Sequence, residues 1–437
     1  MASRPPDPVI VVPGITATYL RDDYPLPPET VWSVLRKDYD RIAMHPDNVA
    51  FEAAQPARVR SDQVFEIAYK ELIAELRHNL SPRPDQSVPV YPFSYDWRQP
   101  LEIVEAQLAA FIDEVIERTR LLRHYAASDF DTDPKVSLVG HSMGGLIIAG
   151  CLDTLASKAR VGKVATLASP YRGSFEAVIK VITGTSDLGA SPPSSRERES
   201  ARLTPALYHL IPSMSRGIEI EAGSGLPTSL YDPDLWQPSI VDTLAEYVKQ
   251  HGLYRKDHRD QAMTLFSAML ATARAHRQRL EKFKLDKAGL TSDDYLCVVG
   301  ADSVTRVSLK VGLHRGKPEF ALSSKDRRNL WDKPTPAERR QSGDGTVPLE
   351  GAIPAFLDES NLVVVTPDDY GYWEIGDRAL SRVAGFHGIL PNMDMVHRML
   401  VRFLTGSGDR HGNTWGRRIP GATEWRPPIK LEEKTKK

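Results

Sequence analysis

The chain has 437 residues, a formal net charge of −1 at pH 7, 41% hydrophobic residues and 26% charged residues. This balance is typical of a globular protein with a sizeable core, and the length suits one large domain with insertions or two ordinary domains. A net charge near zero provides no general attraction to nucleic acid, so we expect no nucleic-acid partner.

The two cysteines, Cys151 and Cys297, both lie in apolar stretches. We expect buried free thiols rather than a disulfide. The N-terminal stretch has no basic segment followed by a long apolar run, and no apolar run is long enough to cross a bilayer. The sequence therefore predicts a cytoplasmic protein.

The first part of the chain alternates strand patterns with helix patterns. Strands are predicted at 9–12, 88–93, 136–139 and 164–167, and helices at 61–80, 101–122 and from 143 to about 155. The first of these helices is predicted to begin after a serine cap at Ser61. Such alternation is typical of βαβ units and predicts a mostly parallel sheet.

The pattern changes after Ser174. No strand is predicted between 175 and about 290, where 186–200 is expected to be a mobile loop and 240–285 to be helix with a break near Gly252. Strand patterns return at 295–299, at a hairpin around 312–317 and at 362–365, before a final helix at 393–404. The chain is therefore predicted to leave its sheet, build a helical cap and return.

Ser142 lies in the run GHSMGG, which fits the pattern G-x-S-x-G. A predicted strand precedes it and a predicted helix follows it, as this motif requires for a sharp turn that presents the serine. Glycines flank the serine because side chains there would collide with neighbouring elements. Ser142 is the candidate nucleophile, and we interpret the adjacent His141 as structural.

A serine nucleophile needs a base, and that base is oriented by a carboxylate. In α/β hydrolases the chain order is Ser, then Asp or Glu, then His. His387, in a predicted loop before the last helix, is the candidate base, whereas His397 falls within that helix. Two candidate acids, Asp344 in SGDGTVPL and Asp302 in VVGADSV, cannot be separated by spacing.

Acyl transfer also requires N–H donors for the developing oxyanion. The residue after the nucleophile usually supplies one donor and a loop after an early strand supplies the other. These rules select the backbone N–H groups of Met143 and of Ile15, which follows Pro13-Gly14.

Five stretches resemble the lecithin:cholesterol acyltransferase family, which includes lysosomal phospholipase A2-type enzymes. They are VVPGITATYL, YPFSYDWRQP, VSLVGHSMGG, LASPYRGS and SGDGTVPL. The resemblance implies lipid acyl-ester chemistry and makes the aspartate before Gly-Thr-Val catalytic, which favours Asp344 over Asp302. Tyr95 and Trp97 of the YDWR stretch are candidate substrate-binding residues. Eukaryotic members have a cysteine-bounded hairpin after the first strand, whereas this chain has a cysteine-free excursion at 22–60.

The sequence and the resemblance together predict an α/β-hydrolase fold with a mostly parallel sheet flanked by helices. Residues 1–174 and 291–405 would form the core, 175–290 a helical cap or lid, and 406–437 a C-terminal arm. The helix pattern after Ser174 has an apolar face that could cover an acyl groove or simply pack on the core.

The leading hypothesis is a serine-dependent lipid acyl-ester hydrolase or O-acyltransferase, with transient contact to a membrane surface. The alternative is a soluble carboxylesterase for small or polymeric non-lipid esters, which the weakly hydrophobic cap favours. A catalytically silent binding module would be expected to have a broken triad, yet every position is filled here. No HExxH, GxGxxG or Cys/His cluster indicates a metal or another cofactor.

Overall fold

The structure is a computed structural model, and it describes residues 4–54, 56–185, 193–214, 217–253, 255–322, 327–328 and 335–434. The first part of the chain combines short strands with one long helix. In chain order it forms β1 (Val9–Val12), β2 (Thr18–Asp22), β3 (Glu29–Trp32), α1 (Tyr39–Ile42), β4 (Met44–His45), β5 (Asn48–Glu52), β6 (Val59–Val64), α2 (Glu66–Leu80) and β7 (Val90–Pro92).

The middle of the chain is mostly helical. It forms α3 (Leu101–Arg120), α4 (Arg123–Ala126), β8 (Val136–His141), α5 (Met143–Leu155), β9 (Val161–Leu167), α6 (Phe175–Thr183), α7 (Ser195–Arg202), α8 (Pro205–His209), β10 (Ile218–Ile220), α9 (Ser239–His251) and α10 (His258–Lys282).

The last part returns to strands and ends in a helix and an arm. It forms β11 (Tyr295–Gly300), β12 (Thr305–Arg306), β13 (Leu309–His314), β14 (Lys317–Ala321), β15 (Arg327–Arg328), α11 (Pro336–Arg340), α12 (Leu349–Ala352), β16 (Leu362–Val365), α13 (Ile375–Ala384), α14 (Phe386–Ile389), α15 (Asp394–Thr405), β17 (Trp415–Gly416) and β18 (Glu432–Glu433).

The central sheet has the strand order β16-β11-β9-β8-β1-β7, and all neighbouring strands are parallel. Every residue of β1, β8, β11 and β16 is buried. Strands covered on both faces are apolar throughout rather than alternating, which is why short Val- and Leu-rich runs predicted them correctly. The predicted α/β-hydrolase fold is confirmed.

The chain reverses direction across the sheet between β1 and β8. From β1 it moves outward to β7 and then returns to the other side of β1 to form β8. At such a switch point the loops after neighbouring strands diverge and leave a crevice beyond the carboxyl ends. The loop after β1 and the turn after β8, which contain the candidate oxyanion donors and the candidate nucleophile, both lie at this switch point.

One sequence prediction near the N-terminus differs from the structure. The helix predicted at 61–80 begins only at Glu66, because Ser61 and its neighbours form β6 and pair with β2. Pairing with a distant strand overrides the local helical signal here. The excursion at 22–60, for which the sequence analysis assigned no elements, contains strands of the sheet β3-β2-β6 and the hairpin β4-β5.

The segment after β9 also differs from its prediction. Part of the loop predicted at 186–200 lies outside the described residues, but 195–202 forms α7, whose N-terminus is capped by the Ser194 side chain. The prediction of no strand in this segment was wrong, since Ile218 pairs with Leu309 where β10 joins β13. The helix break near Gly252 and the hairpin of β13 and β14 are confirmed.

The mostly helical segment packs continuously on the sheet. Phe175, Val178 and Val181 of α6 are buried in the same hydrophobic cluster as Val12 of β1. The apolar face of α6 is therefore packed against the core in this conformation. The division into core, cap and arm stays a prediction, because one continuous cluster joins the first two.

Arg277 of α10 adds polar contacts between this segment and the loop after β9. Its guanidinium is buried and donates to the carbonyl oxygens of Pro170, Tyr171 and His209. A buried charge is costly unless it is hydrogen-bonded. The arginine therefore connects α8, α10 and the LASPYRGS stretch at one point.

The C-terminal arm covers the exposed edge of the sheet. Arg417 exchanges backbone hydrogen bonds with Val364 of β16, and Trp425 Nε1 donates to Leu362 O. Arg417 and Lys434 also form ion pairs with the buried carboxylate of Asp369. Burial alone would raise the pKa of Asp369, but the two cations lower it below its usual value. The arm thus pairs an edge that would otherwise be open.

Arg98 of the YDWR stretch fixes the 22–60 excursion to the core. It is fully buried, and its Nη2 lies 2.7 Å from Glu52 Oε1 and 2.6 Å from Asp96 Oδ2. Its Nη1 donates to Ile42 O at 3.0 Å. Burial would raise the pKa of Asp96, but the charge and hydrogen bonds of Arg98 lower it below its ordinary value.

We predict that Arg98→Met lowers the free energy of unfolding by about 3–5 kcal/mol, because the buried carboxylate of Glu52 and the partly buried carboxylate of Asp96 lose their counter-ion. Urea denaturation followed by circular dichroism measures this change.

The matched control is Arg118→Gln. Arg118 forms an exposed i,i+4 pair with Glu114, so its loss is expected to leave the denaturation midpoint close to that of the wild type. Equal denaturation midpoints for the two variants would contradict the claim that the ion pairs of Arg98 with Glu52 and Asp96 stabilise the fold.

Candidate active site

Ser142 occupies the turn between β8 and α5. Its backbone has φ 54° and ψ −127°, a left-handed conformation that is costly for a residue with a side chain. The turn is possible because Gly144 lies against β1, where a Cβ would come within 2.2 Å of Val12 O. The predicted strand, serine turn and helix are confirmed, and they match the nucleophile elbow.

His387 lies over this turn. Its Nε2 is 2.8 Å from Ser142 Oγ, and its backbone N–H donates to Asp344 O at 3.0 Å. The residue belongs to the one-turn helix α14 rather than to the predicted loop. His397, the rejected alternative, is buried in α15, and its Nε2 donates to Pro391 O.

Asp344 lies on the far side of the imidazole. Its Oδ2 is 2.7 Å from His387 Nδ1, and its Oδ1 accepts the backbone N–H groups of Thr346 and Val347. Because a carboxylate only accepts hydrogen bonds, His387 Nδ1 carries the proton and Nε2 is free to accept one from Ser142. The three predicted residues are thus brought together with the polarity that proton transfer from serine requires.

Asp302, the second candidate acid, lies elsewhere. Its two carboxylate oxygens accept from Arg339 Nε and Nη2 at 2.9 and 2.6 Å. This bidentate ion pair joins the loop after β11 to α11. Asp302 therefore has a structural partner, and Asp344 alone of the two contacts His387.

The loop after β1 approaches the nucleophile closely. A Cβ on Gly14 would lie 2.9 Å from Ser142 Cβ, so only glycine fits without displacement. The next residue, Ile15, and the residue after the nucleophile, Met143, supply the two predicted N–H donors. Within the described part of the chain, neither N–H has a protein acceptor. Both therefore remain available to a substrate oxygen.

Three buried aromatic side chains hold this loop. Tyr95 donates its hydroxyl proton to Pro13 O at 2.8 Å, Tyr69 accepts the Gly14 N–H at 2.9 Å, and Trp32 Nε1 donates to Thr16 O at 3.0 Å.. Sequence reasoning missed the roles of Tyr69 and Trp32. Tyr69 was detectable, since it begins the buried face of α2 at the helical spacing 69, 72, 73 and 76.

Tyr95 and Trp97 are the residues predicted to bind substrate. Both rings are buried, and Trp97 packs on Trp32 with ring centroids 4.7 Å apart. Tyr95 holds the loop after β1 directly, and Trp97 packs against Trp32, which also holds it. Contact of either ring with substrate stays a prediction.

The described residues contain no group of three or more His, Cys, Asp or Glu side chains arranged to hold a metal ion. Cys151 and Cys297 are buried free thiols, as predicted, and burial raises the pKa of each to about 12. In the same described ranges, no helix is both long and apolar enough to span a membrane.

We predict that Gly14→Ala lowers kcat by about 100-fold, because displacing the loop by about 1 Å misaligns the oxyanion donors. The rate per mole of folded protein on a soluble nitrophenyl ester measures the effect.

Gly376→Ala is the control, since a Cβ at this position in α13 meets no atom within 4 Å. It should leave kcat unchanged. Wild-type turnover by Gly14→Ala would show that the loop does not take part in the reaction.

Residues 62–240 match the family model described as lecithin:cholesterol acyltransferase. A search of curated proteins gave no significant match. Thirty chains of solved structures match, among them one from "The crystal structure of Tle4-Tli4 complex", with a TM-score of 0.55 and 15% identity over 80% of this chain and 89% of that chain. At that identity the likeness shows the fold alone. The family match confirms the resemblance seen in the motifs, and the protein has an α/β-hydrolase fold and is similar to the lecithin:cholesterol acyltransferase family.

Proposed function

We propose that the protein is a serine-dependent hydrolase or O-acyltransferase that acts on lipid acyl esters. The observation that carries this proposal is the continuous contact from Asp344 through His387 to Ser142, at 2.7 and 2.8 Å. The N–H groups of Ile15 and Met143, for which the described residues provide no acceptor, also support it. The family match favours lipid esters among the possible substrates.

In the proposed reaction, Ser142 Oγ attacks the ester carbonyl while His387 Nε2 takes the hydroxyl proton. The N–H groups of Ile15 and Met143 stabilise the oxyanion, and Asp344 stabilises the imidazolium. Collapse of the tetrahedral intermediate transfers that proton to the leaving alcohol and leaves the acyl group on Ser142. Water or an acceptor hydroxyl then gives its proton to His387 as its oxygen attacks the acyl carbonyl. The imidazolium returns that proton to Ser142 Oγ as the bond between Oγ and the acyl carbon breaks, which releases the acid or the new ester.

A fluorophosphonate probe should label wild-type protein at Ser142, and Ser142→Ala should not be labelled. The reason is that the probe reacts with a serine whose proton is removed by a neighbouring base. Intact-protein and peptide mass spectrometry measure the adduct. Labelling that persists in Ser142→Ala, or no labelling of folded wild type, would contradict the proposal.

The two aspartates provide a matched comparison in the turnover of a soluble nitrophenyl ester. Asp344→Asn should slow turnover by about 10⁴-fold, because the amide donates to His387 and stabilises the wrong tautomer. Asp302→Asn, which weakens the ion pair with Arg339 and leaves the contact of Asp344 with His387 in place, should retain kcat per folded molecule.

Exposed apolar side chains support contact with a lipid surface. Leu26 and Leu35 lie in the 22–60 excursion that follows β1, and Tyr372 and Trp373 lie in the segment that leads from β16 to His387. Trp373 is 89% exposed. Exposed aromatic rings are well suited to the interface between water and lipid.

We predict that replacing Tyr372 and Trp373 together by serine reduces turnover of esters in zwitterionic vesicles several-fold and leaves turnover of a monomeric short-chain ester unchanged. Such a change removes apolar surface without touching the triad. Parallel assays on the two substrates measure the difference.

Leu121→Ser is the control. Leu121 is similarly exposed, but it follows the end of α3, in the segment that leads to the amino-terminal end of β8. If the double variant and Leu121→Ser behave alike on vesicles, the surface next to the site has no special part in lipid binding.

The second candidate function is a carboxylesterase acting on small or polymeric non-lipid esters. It is favoured by the burial of Ser142, which is 7% exposed, and of the apolar face of α6. A long acyl chain would require the site to open, whereas a small ester would require less. A strict preference for short acyl chains, with no increase in rate on aggregated esters, would support this candidate.

A further inference from the structure

Two buried side chains outside the triad connect its parts. The hydroxyl of Tyr69 on α2 lies 2.9 Å from Gly14 N and 2.8 Å from His141 Nδ1. His141 is the last residue of β8, and its Nε2 lies 3.0 Å from His387 O. A chain of three hydrogen bonds thus runs from the oxyanion loop to the backbone of the candidate base.

The backbone groups at the two ends determine the direction of every bond. The Gly14 N–H can only donate, so the Tyr69 oxygen accepts it and directs its own proton to His141 Nδ1. The His141 proton therefore resides on Nε2 and is donated to the carbonyl of His387. Burial, together with the nearby His387, lowers the pKa of His141 to about 3, so this neutral tautomer persists at neutral pH.

The three hydrogen bonds hold backbone groups whose positions determine the geometry of the proposed reaction. Gly14 precedes the donor Ile15, and a single Cβ at Gly14 would already collide with Ser142. The backbone of His387 is held from both sides, since its N–H donates to Asp344 O and its carbonyl accepts from His141. A shift of either loop would change the alignment of donor, nucleophile and base.

We propose that Tyr69 and His141 are positioning residues: together they fix the loop after β1, which contains Gly14 and Ile15, and the backbone of His387 relative to Ser142. This inference rests on the function proposed above and extends it to residues that do not themselves take part in bond making.

The first test is Tyr69→Phe, which removes one oxygen atom from a fully buried ring. We expect kcat on a soluble nitrophenyl ester to fall about 10- to 100-fold, because small misalignments of reacting groups are costly. KM should stay within about twofold, since the lost bonds act on transition-state alignment.

Tyr125→Phe is the matched control. Tyr125 is also buried, and its hydroxyl donates to Pro6 O at 2.7 Å, before β1 at the opposite edge of the sheet. A purely structural role for Tyr69 predicts that both variants lose thermal stability and keep kcat per folded molecule. A kcat of Tyr69→Phe within twofold of that of Tyr125→Phe would overturn the inference.

The second test replaces His141 by Gln and by Phe. The Gln amide can still donate to His387 O, so His141→Gln should retain most of kcat, whereas His141→Phe should lose it as Tyr69→Phe does. If His141→Phe does not fold, the comparison of Tyr69→Phe with Tyr125→Phe decides. Wild type that is not labelled by fluorophosphonate overturns both proposals, whereas labelled wild type with an unaffected Tyr69→Phe overturns this one alone.

Discussion

The candidate site depends on the close approach between the end of β1 and the beginning of α5. Gly144 places the first turn of α5 against the carbonyl of Val12, and Gly14 places the loop after β1 against Ser142. Two backbones in contact leave no room for adjustment by side chains. The packing of the sheet therefore limits where the loop with the candidate oxyanion donors can lie, and the aromatic side chains around the loop hold it within that limit.

Buried polar side chains, rather than apolar contacts alone, attach the peripheral segments to this centre. Arg98 fastens the 22–60 excursion through Glu52, and Arg277 fastens the helical segment through carbonyl oxygens. Directed hydrogen bonds specify one arrangement of the segments, whereas an apolar contact surface is compatible with several. Such a buried cluster adds little net stability compared with well-packed apolar residues, although removing one of its partners is costly. The Arg98 contacts with Glu52, Asp96 and Ile42 give the arginine of the YDWR motif a structural role.

Much of the centre could be predicted because its signals are local. The strands are short apolar runs, the serine turn has glycines at fixed positions, and Ser142, His387 and Asp344 follow the expected order. The choice between Asp344 and Asp302 came from the family resemblance, because it depends on Arg339, a partner that spacing does not reveal. The strands of the 22–60 excursion were missed for a similar reason, since their pairing is long-range. The burial of Tyr95 and Trp97 depends on how that excursion folds back, so their location was also beyond sequence reasoning.

The C-terminal arm attaches a distant part of the chain to the segment that leads to His387. Arg417 and Lys434 neutralise Asp369, which lies between β16 and that segment. The arm also pairs with β16 at the edge of the sheet. Removing the arm would therefore have two costs at once: it would leave the buried carboxylate of Asp369 without its counter-ions and expose the backbone groups of β16 to pairing with another chain.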